Sequence, residues 1–203
     1  NALLAERLTG AETGAAYRMF GDRAVLRAAY FWSELSRPIA NVTLGVTPSL
    51  ITRQRQNLGR TRAQGVELEF ESQLGAHWSL DAGYQFADSR VTSFSANPAL
   101  VGLLLPHVPR NEVTARAGYH RSQFTVAVQA RGVGNEFDDD QNQLVLNRYF
   151  SLDALIARNL GRGLEVFVAG ENFLDDRCDV ARTPVRTIGP PASVRAGIKI
   201  AVR

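Results

Sequence analysis

At 203 residues the chain has the length of one ordinary domain, and its 23 basic and 20 acidic side chains leave a net charge of +3, too balanced to argue for nucleic acid or an anionic surface as partner. The single cysteine, Cys178, excludes an internal disulfide and a cysteine-built metal site. No run approaches the roughly 18 apolar residues of a membrane-spanning helix, but closed β-barrels also satisfy every backbone group in lipid, so a membrane stays open.

The chain begins Asn1-Ala2-Leu3-Leu4, without an initiator Met or the pattern of a signal peptide, and is expected to be a processed product or part of a longer chain. From there the dominant signal is period 2, which places successive side chains on opposite faces of a strand. Nine strands are expected, at 10–19, 23–43, 51–74, 78–91, 110–119, 123–133, 148–159, 164–173 and 192–203. In the third, Val66, Leu68 and Phe70 alternate with Glu67, Glu69 and Glu71, and in the fourth the alternation runs from Trp78 to Phe86. The sixth sets Phe124, Val126, Val128 and Ala130 against Thr125, Ala127, Gln129 and Arg131; the ninth sets Val194, Ala196, Ile198, Ile200 and Val202 against Arg195, Gly197, Lys199, Ala201 and Arg203. The second and third exceed the roughly 9–11 residues needed to cross a bilayer and are expected to project beyond it.

The connections alternate in length. Short turns fall at Phe20-Gly21-Asp22-Arg23, Gly75-Ala76-His77, His120-Arg121-Ser122 and Gly161-Arg162-Gly163, and longer polar stretches at 44–50, 92–108, 134–146 and 174–190. That is the layout of an outer-membrane barrel, with short periplasmic turns and long extracellular loops. Tyr17, Trp78, Tyr119 and Phe124 sit beside short turns, while Tyr30, Trp32, Tyr84 and Phe86 lie further along the same faces. At ~3.3 Å per residue and a tilt near 40°, Trp78 and Phe86 are about 20 Å apart along the membrane normal, close to the spacing of two aromatic girdles. The fold class is therefore all-β, an antiparallel transmembrane barrel. The bland competitor is a soluble β-sandwich, which has no reason to sort turns by length. Nine strands cannot close a bacterial barrel of even strand number, so the first and last are expected to pair with strands outside residues 1–203.

The residues also support a family resemblance. Asn57 through Glu69 (NLGRTRAQGVELE), Trp78 through Ser89, Pro106-His107-Val108-Pro109-Arg110, Gly170 through Arg177 (GENFLDDR), and Ile188-Gly189-Pro190-Pro191 before the last strand resemble, in order, five strand signatures of TonB-dependent receptors. Phe173-Leu174 inverts the family's Leu-Phe, and Cys178 stands where an aromatic is common. The resemblance implies that residues 1–203 are the C-terminal part of a barrel of about 22 strands, with the N-terminal plug and earlier strands absent from this stretch. It implies outer-membrane location and import of a scarce nutrient (ferric siderophore, cobalamin or glycan). The implied partners are outer-membrane lipid, the plug and remaining strands, TonB, and a small-molecule or metal-chelate ligand, with no nucleic acid.

No catalytic residue, metal site or cofactor is assigned. His77, His107 and His120 lack ligand partners at i+2 or i+4 and read as isolated turn or loop residues; Cys178 reads as a solvent-facing bystander. Asp138-Asp139-Asp140 offers the oxygen ligands of a hard cation without the spacing of a calcium loop, and reads as a solvated loop. Arg27, Glu67, Glu69, Glu71, Asp81, Arg116, Arg131, Asp153, Glu165, Glu171, Arg195 and Lys199 are expected on the inward face, mostly pairing with one another or with the plug. Of these, Arg131 and Glu171 lie on outer strand halves and are the candidates for meeting ligand. The competing readings are a self-contained small barrel, either an omptin-like enzyme or a porin, and a soluble β-rich binding module.

Overall fold

The computed structural model describes residues 3–47 and 50–201; Pro48 and Ser49 of the first expected loop, and Asn1, Ala2, Val202 and Arg203, lie outside the described residues. The strands are β1 (Arg7–Met19), β2 (Ala24–Ser36), β3 (Ile39–Thr47), β4 (Leu50–Asn57), β5 (Arg60–Leu74), β6 (Trp78–Ser93), β7 (Asn111–Arg121), β8 (Phe124–Val133), β9 (Glu136–Phe137), β10 (Val145–Leu146), β11 (Tyr149–Gly161), β12 (Leu164–Glu171), β13 (Asp179–Ala181), β14 (Thr187–Ile188) and β15 (Ser193–Ile200). Nine of them form one antiparallel sheet in the order β1-β2-β5-β6-β7-β8-β11-β12-β15, an up-and-down meander in which every sheet neighbour is the next long strand of the chain. The short turns hold the left-handed backbone that tight hairpins need: Phe20, Gly21 and Asp22 have φ of 55°, 66° and 66°, and Arg162 and Gly163 have 54° and 78°.

One expectation is corrected. Strands 23–43 and 51–74 are not continuous: β2 stops at Ser36, β5 starts at Arg60, and β3–β4 form a separate two-stranded hairpin between them. Arg37 takes a φ of 59° and Pro38 has no N–H to give, so the ladder narrows to two bonds, Arg37 N to Gly59 O at 2.9 Å and Leu58 N to Pro38 O at 2.8 Å. Residues 44–47 and Leu50 of the expected loop are then strand residues of that hairpin.

Register sorts the side chains cleanly. One cross-strand row reads Tyr17, Leu26, Phe70, Ala82, Ala115, Ala130 and Leu152; the next, on the opposite face, reads Ala16, Arg27, Glu69, Gly83, Thr114, Arg131 and Ser151. The apolar face is uncovered among the described residues: Tyr17, Val168 and Ile198 are 67%, 51% and 66% exposed. A contiguous apolar surface of this extent is foreign to a water-soluble monomer and natural against lipid. Among the described residues no second sheet lies over it, unlike the paired layers of a sandwich.

The aromatic rows are also present. Trp78 and Tyr119 are directly opposed, with ring centroids 4.8 Å apart, and Arg158 lies over Phe124 at 5.0 Å. Further along, Tyr84 donates to Asn111 Oδ1 at 2.8 Å and Arg110 lies over Phe86 at 5.5 Å. Among the described residues, the one cluster of buried apolar side chains lies at the long-loop end, where Val42, Leu58, Val91, Phe94 and Leu100 pack together with Ala40, Leu103 and Leu105 against them. Burial at ~1.5–3 kcal/mol per large side chain makes this cluster the anchor of the loop region.

β1 and β15 are the sheet's edges and expose unpaired backbone groups. Residues 1–203 expressed alone should therefore stay protease-sensitive in detergent; a heat-modifiable, protease-resistant band on gels would contradict this.

Candidate functional site: the polar face and its loop cap

All twelve expected inward charges fall on one face. Arg27 bridges Glu71 at 2.8 Å and Glu69 at 3.7 Å, and Gln85 donates to Glu67 at 3.0 Å. The neighbouring row sets Glu71, Asp81, Arg116, Gln129 and Asp153 side by side. The row is mixed rather than alternating: the like-charged neighbours Glu71 and Asp81 are flanked by Arg27, which bridges Glu71, and by Arg116, which faces Asp81. Arg131 pairs with Glu112 at 2.8 Å, and Glu171 with Arg195 at 3.0 Å. The two candidates are thus on the expected face but not together: β11 separates their strands. Gln85 and Gln129 stand on the same surface, as the alternation of their strands expects, whereas Glu112, also there, was missed.

Two of the aromatics on this polar face stand over glycines. Phe31 is opposite Gly65 and Phe167 opposite Gly197. A Cβ at Gly65 would run into the Phe86 carbonyl and the Phe31 ring, so only glycine admits the ring there.

The long connections form a joined cap rather than separate loops. Asp138 accepts from Thr183 Oγ1 at 2.5 Å and meets His107 Nε2 at 3.2 Å, while Arg53 Nη2 donates to Thr183 Oγ1 at 3.1 Å. Asp140 accepts from Thr43 N at 2.9 Å and Thr43 Oγ1 at 2.6 Å. Asp139 accepts from the backbone N–H groups of Gln143 at 2.9 Å and Leu144 at 2.7 Å. Asn142 joins the loops again, receiving Leu104 N at 2.8 Å and donating to Leu104 O at 2.9 Å. The β3–β4 hairpin and the three longer loops therefore meet at one set of carboxylates.

Two readings are corrected here. Asp138 and Asp139 are each only 6% exposed, so the acidic run is not a solvated stretch; its oxygens are occupied by protein donors. His107 is not isolated but bonded to Asp138, whereas His120 meets only Thr125 Oγ1 at 3.0 Å and His77 stacks edge-on to Tyr119 at 6.0 Å. Cys178 is half-buried, its Sγ close to Gly189. Beneath the cap, burial pushes the Glu136 carboxyl above its ordinary range, and His107 and Arg131 oppose that shift only in part.

Comparison with known proteins decides the family. The family model described as "TonB dependent receptor-like, beta-barrel" matches residues 1–173. The chain belongs to the TonB-dependent receptor family. It is similar to the probable TonB-dependent siderophore receptor PiuA of Acinetobacter baumannii, 23% identical over 176 residues covering 82% of this chain and 23% of that protein. It is also similar to the probable TonB-dependent receptor BfrD of Bordetella pertussis, 24% identical over 210 residues covering 96% of this chain and 27% of that protein. The chain thus spans about a quarter of the length of these curated relatives. Among solved structures, the fold matches PiuA of Acinetobacter baumannii with a TM-score of 0.77 and 20% identity, covering 95% of this chain and 28% of that one. It matches the receptor FyuA of Yersinia pestis with a TM-score of 0.77 and 21% identity, covering 96% and 30%. At these identities the structures establish the fold.

Family membership makes this a β-barrel segment of the bacterial outer membrane, and the relatives are receptors rather than enzymes. In such a TonB-dependent barrel the apolar face meets lipid and the polar face lines the lumen.

Two predictions follow from the cap. Asp138→Ala removes a buried acceptor and should lower local stability by about 2 kcal/mol. Amide hydrogen exchange around Thr183 and in the β3–β4 hairpin would then accelerate roughly thirtyfold, with the transmembrane ladder unchanged. Glu136 has a raised pKa, so its folded form favours the proton; its penalty grows as pH rises above the unfolded carboxylate value and is complete above the raised one. Glu136→Gln should therefore leave cap stability unchanged near pH 4 and increase it at pH 7.5, read by the same exchange experiment.

Proposed function

We propose that residues 1–203 are the C-terminal part of the barrel of an importer, the plug and earlier strands lying outside this stretch. The importer would take up a scarce nutrient of the ferric-siderophore class across the outer membrane. Energy would come through TonB acting on the plug. The observation that carries the reading is a lumen wall of paired, opposite charges beneath a bonded loop cap, within a chain of this family. Such a wall is wet and mixed in sign, suited to a polar chelate and to a removable plug rather than to a permanent apolar ligand.

The siderophore class draws support from PiuA, described as a siderophore receptor, and from FyuA, described as a ferric yersiniabactin uptake receptor. Fold alone does not select it: a structure described as the copper transporter OprC aligns with a TM-score of 0.76 at 15% identity, covering 98% of this chain and 32% of that one. Cobalamin or a glycan is the alternative cargo. Arg131 and Glu171 are the lumen side chains assigned to ligand contact, each able to exchange its present partner for a charged ligand group.

Deletion of the gene should abolish TonB-dependent uptake of radiolabelled ferric siderophore and slow growth only under iron restriction. Arg131→Gln in the whole receptor should reduce uptake about tenfold at subsaturating ligand. Unchanged iron uptake with a lost response to cobalamin or a glycan would transfer the assignment to that cargo.

A further inference from the structure

The lipid-facing surface changes character abruptly at its long-loop end. Below Phe86 that face of β5 and β6 is apolar, through Val66, Leu68, Phe70, Leu80, Ala82 and Tyr84. Two residues above Phe86, on the same face, come Asp88 and Arg90, and opposite them Gln64 and Arg62. Arg62 and Arg90 are thus directly cross-strand, a like-charge pairing flanked by one carboxylate, Glu34, opposite Arg62 on β2.

Asp88 is too small an answer. Arg90 Nε donates to both of its oxygens, at 2.9 and 3.0 Å, and Arg110 Nη2 reaches it at 3.2 Å. Arg62 is exposed and makes no ion pair among the described residues. Arg60, next along the same face, pairs with Glu34 only at 3.7 Å. Arg110 is half-buried, and its Nε is a buried donor with no acceptor. Four guanidiniums therefore share two carboxylates, with forked donors left over.

Height identifies the missing anion. From Trp78 to Asp88 is ten residues, about 25 Å along the normal at a tilt near 40°, which is the full height of the apolar band. The cluster therefore stands at the headgroups of the long-loop leaflet, the outer one. Phosphate matches the guanidinium fork in geometry and charge. We propose that Arg62, Arg90 and Arg110, with Arg60 at their flank, form an exterior site for the phosphorylated headgroup of an outer-leaflet glycolipid.

The test uses the intact receptor purified in a neutral maltoside detergent, with diphosphoryl lipid A as probe. The wild type should bind it saturably, with affinity falling as salt rises. Arg62→Gln, which removes no hydrogen bond or ion pair among the described residues, should weaken binding about tenfold; Arg62→Gln with Arg90→Gln should abolish it, and Arg62→Lys should lose less than Arg62→Gln. In the absence of lipid A, Arg62→Gln should leave the heat-modification temperature unchanged, since the lost repulsion with Arg90 offsets the lost attraction to Glu34 and Asp88. A merely structural arginine would lower it, and that result would overturn the proposal. So would equal binding by wild type and Arg62→Gln, equal binding of lipid A stripped of its phosphates, or displacement by inorganic phosphate at matched concentration, which would mark a site for a free anion. Because lipid A binding is read without any nutrient, its failure leaves the importer reading untouched.

Discussion

A hydrocarbon solvent leaves no backbone donor or acceptor unpaired, and this requirement governs the whole molecule. The nine-stranded meander satisfies it strand by strand, which is why each long strand pairs with its successor and no crossover occurs. Once backbone pairing is fixed, period 2 sends alternate side chains to two different solvents. The row running from Tyr17 to Leu152 is apolar and the row beside it is studded with charge because they face lipid and water respectively. Burial is inverted: exposed apolar strand residues such as Tyr17, Val168 and Ile198 are the membrane contact, and among the described residues the compact apolar cluster sits under the loops, outside the membrane.

The same alternation made much of the fold legible before any coordinates. Strand number, the long-short rhythm of connections, both aromatic rows and the inward face of all twelve charges follow from local pattern, since a strand's two faces are written in consecutive residues. The break at Arg37-Pro38 was missed although the apolar alternation already lapses at Ser33-Glu34 and Ser36-Arg37; the missing N–H of Pro38 and the left-handed φ of Arg37 mark it in the structure.

The cap was illegible for a different reason. Thr43 and Asp140 are 97 residues apart, Arg53 and Thr183 are 130 apart, and Asp138 and Thr183 are 45 apart. Nothing in an acidic run announces that each carboxylate has a donor waiting on another loop, so Asp138-Asp139-Asp140 reads as solvated although it is the junction. His107 is similar: its neighbours in sequence are prolines and valine, and its meaning comes from Asp138.

Wall and cap therefore answer to different pressures. Along the wall, the ladder fixes each residue's neighbours: Arg27 must face Glu69, and Arg131 must face Thr114 and Ser151. A change there is felt by two strands at once, and Gly65 beneath Phe31 has no room for any side chain. The cap is held instead by a few side-chain bonds from Asp138, Asp140 and Asn142 to loops whose lengths the ladder does not dictate. Loops joined in this way can change length or sequence while the wall below keeps its register, provided the junction carboxylates keep their donors. That separation fits the recurrence of one sheet geometry in structures described as a ferric yersiniabactin uptake receptor and as a copper transporter.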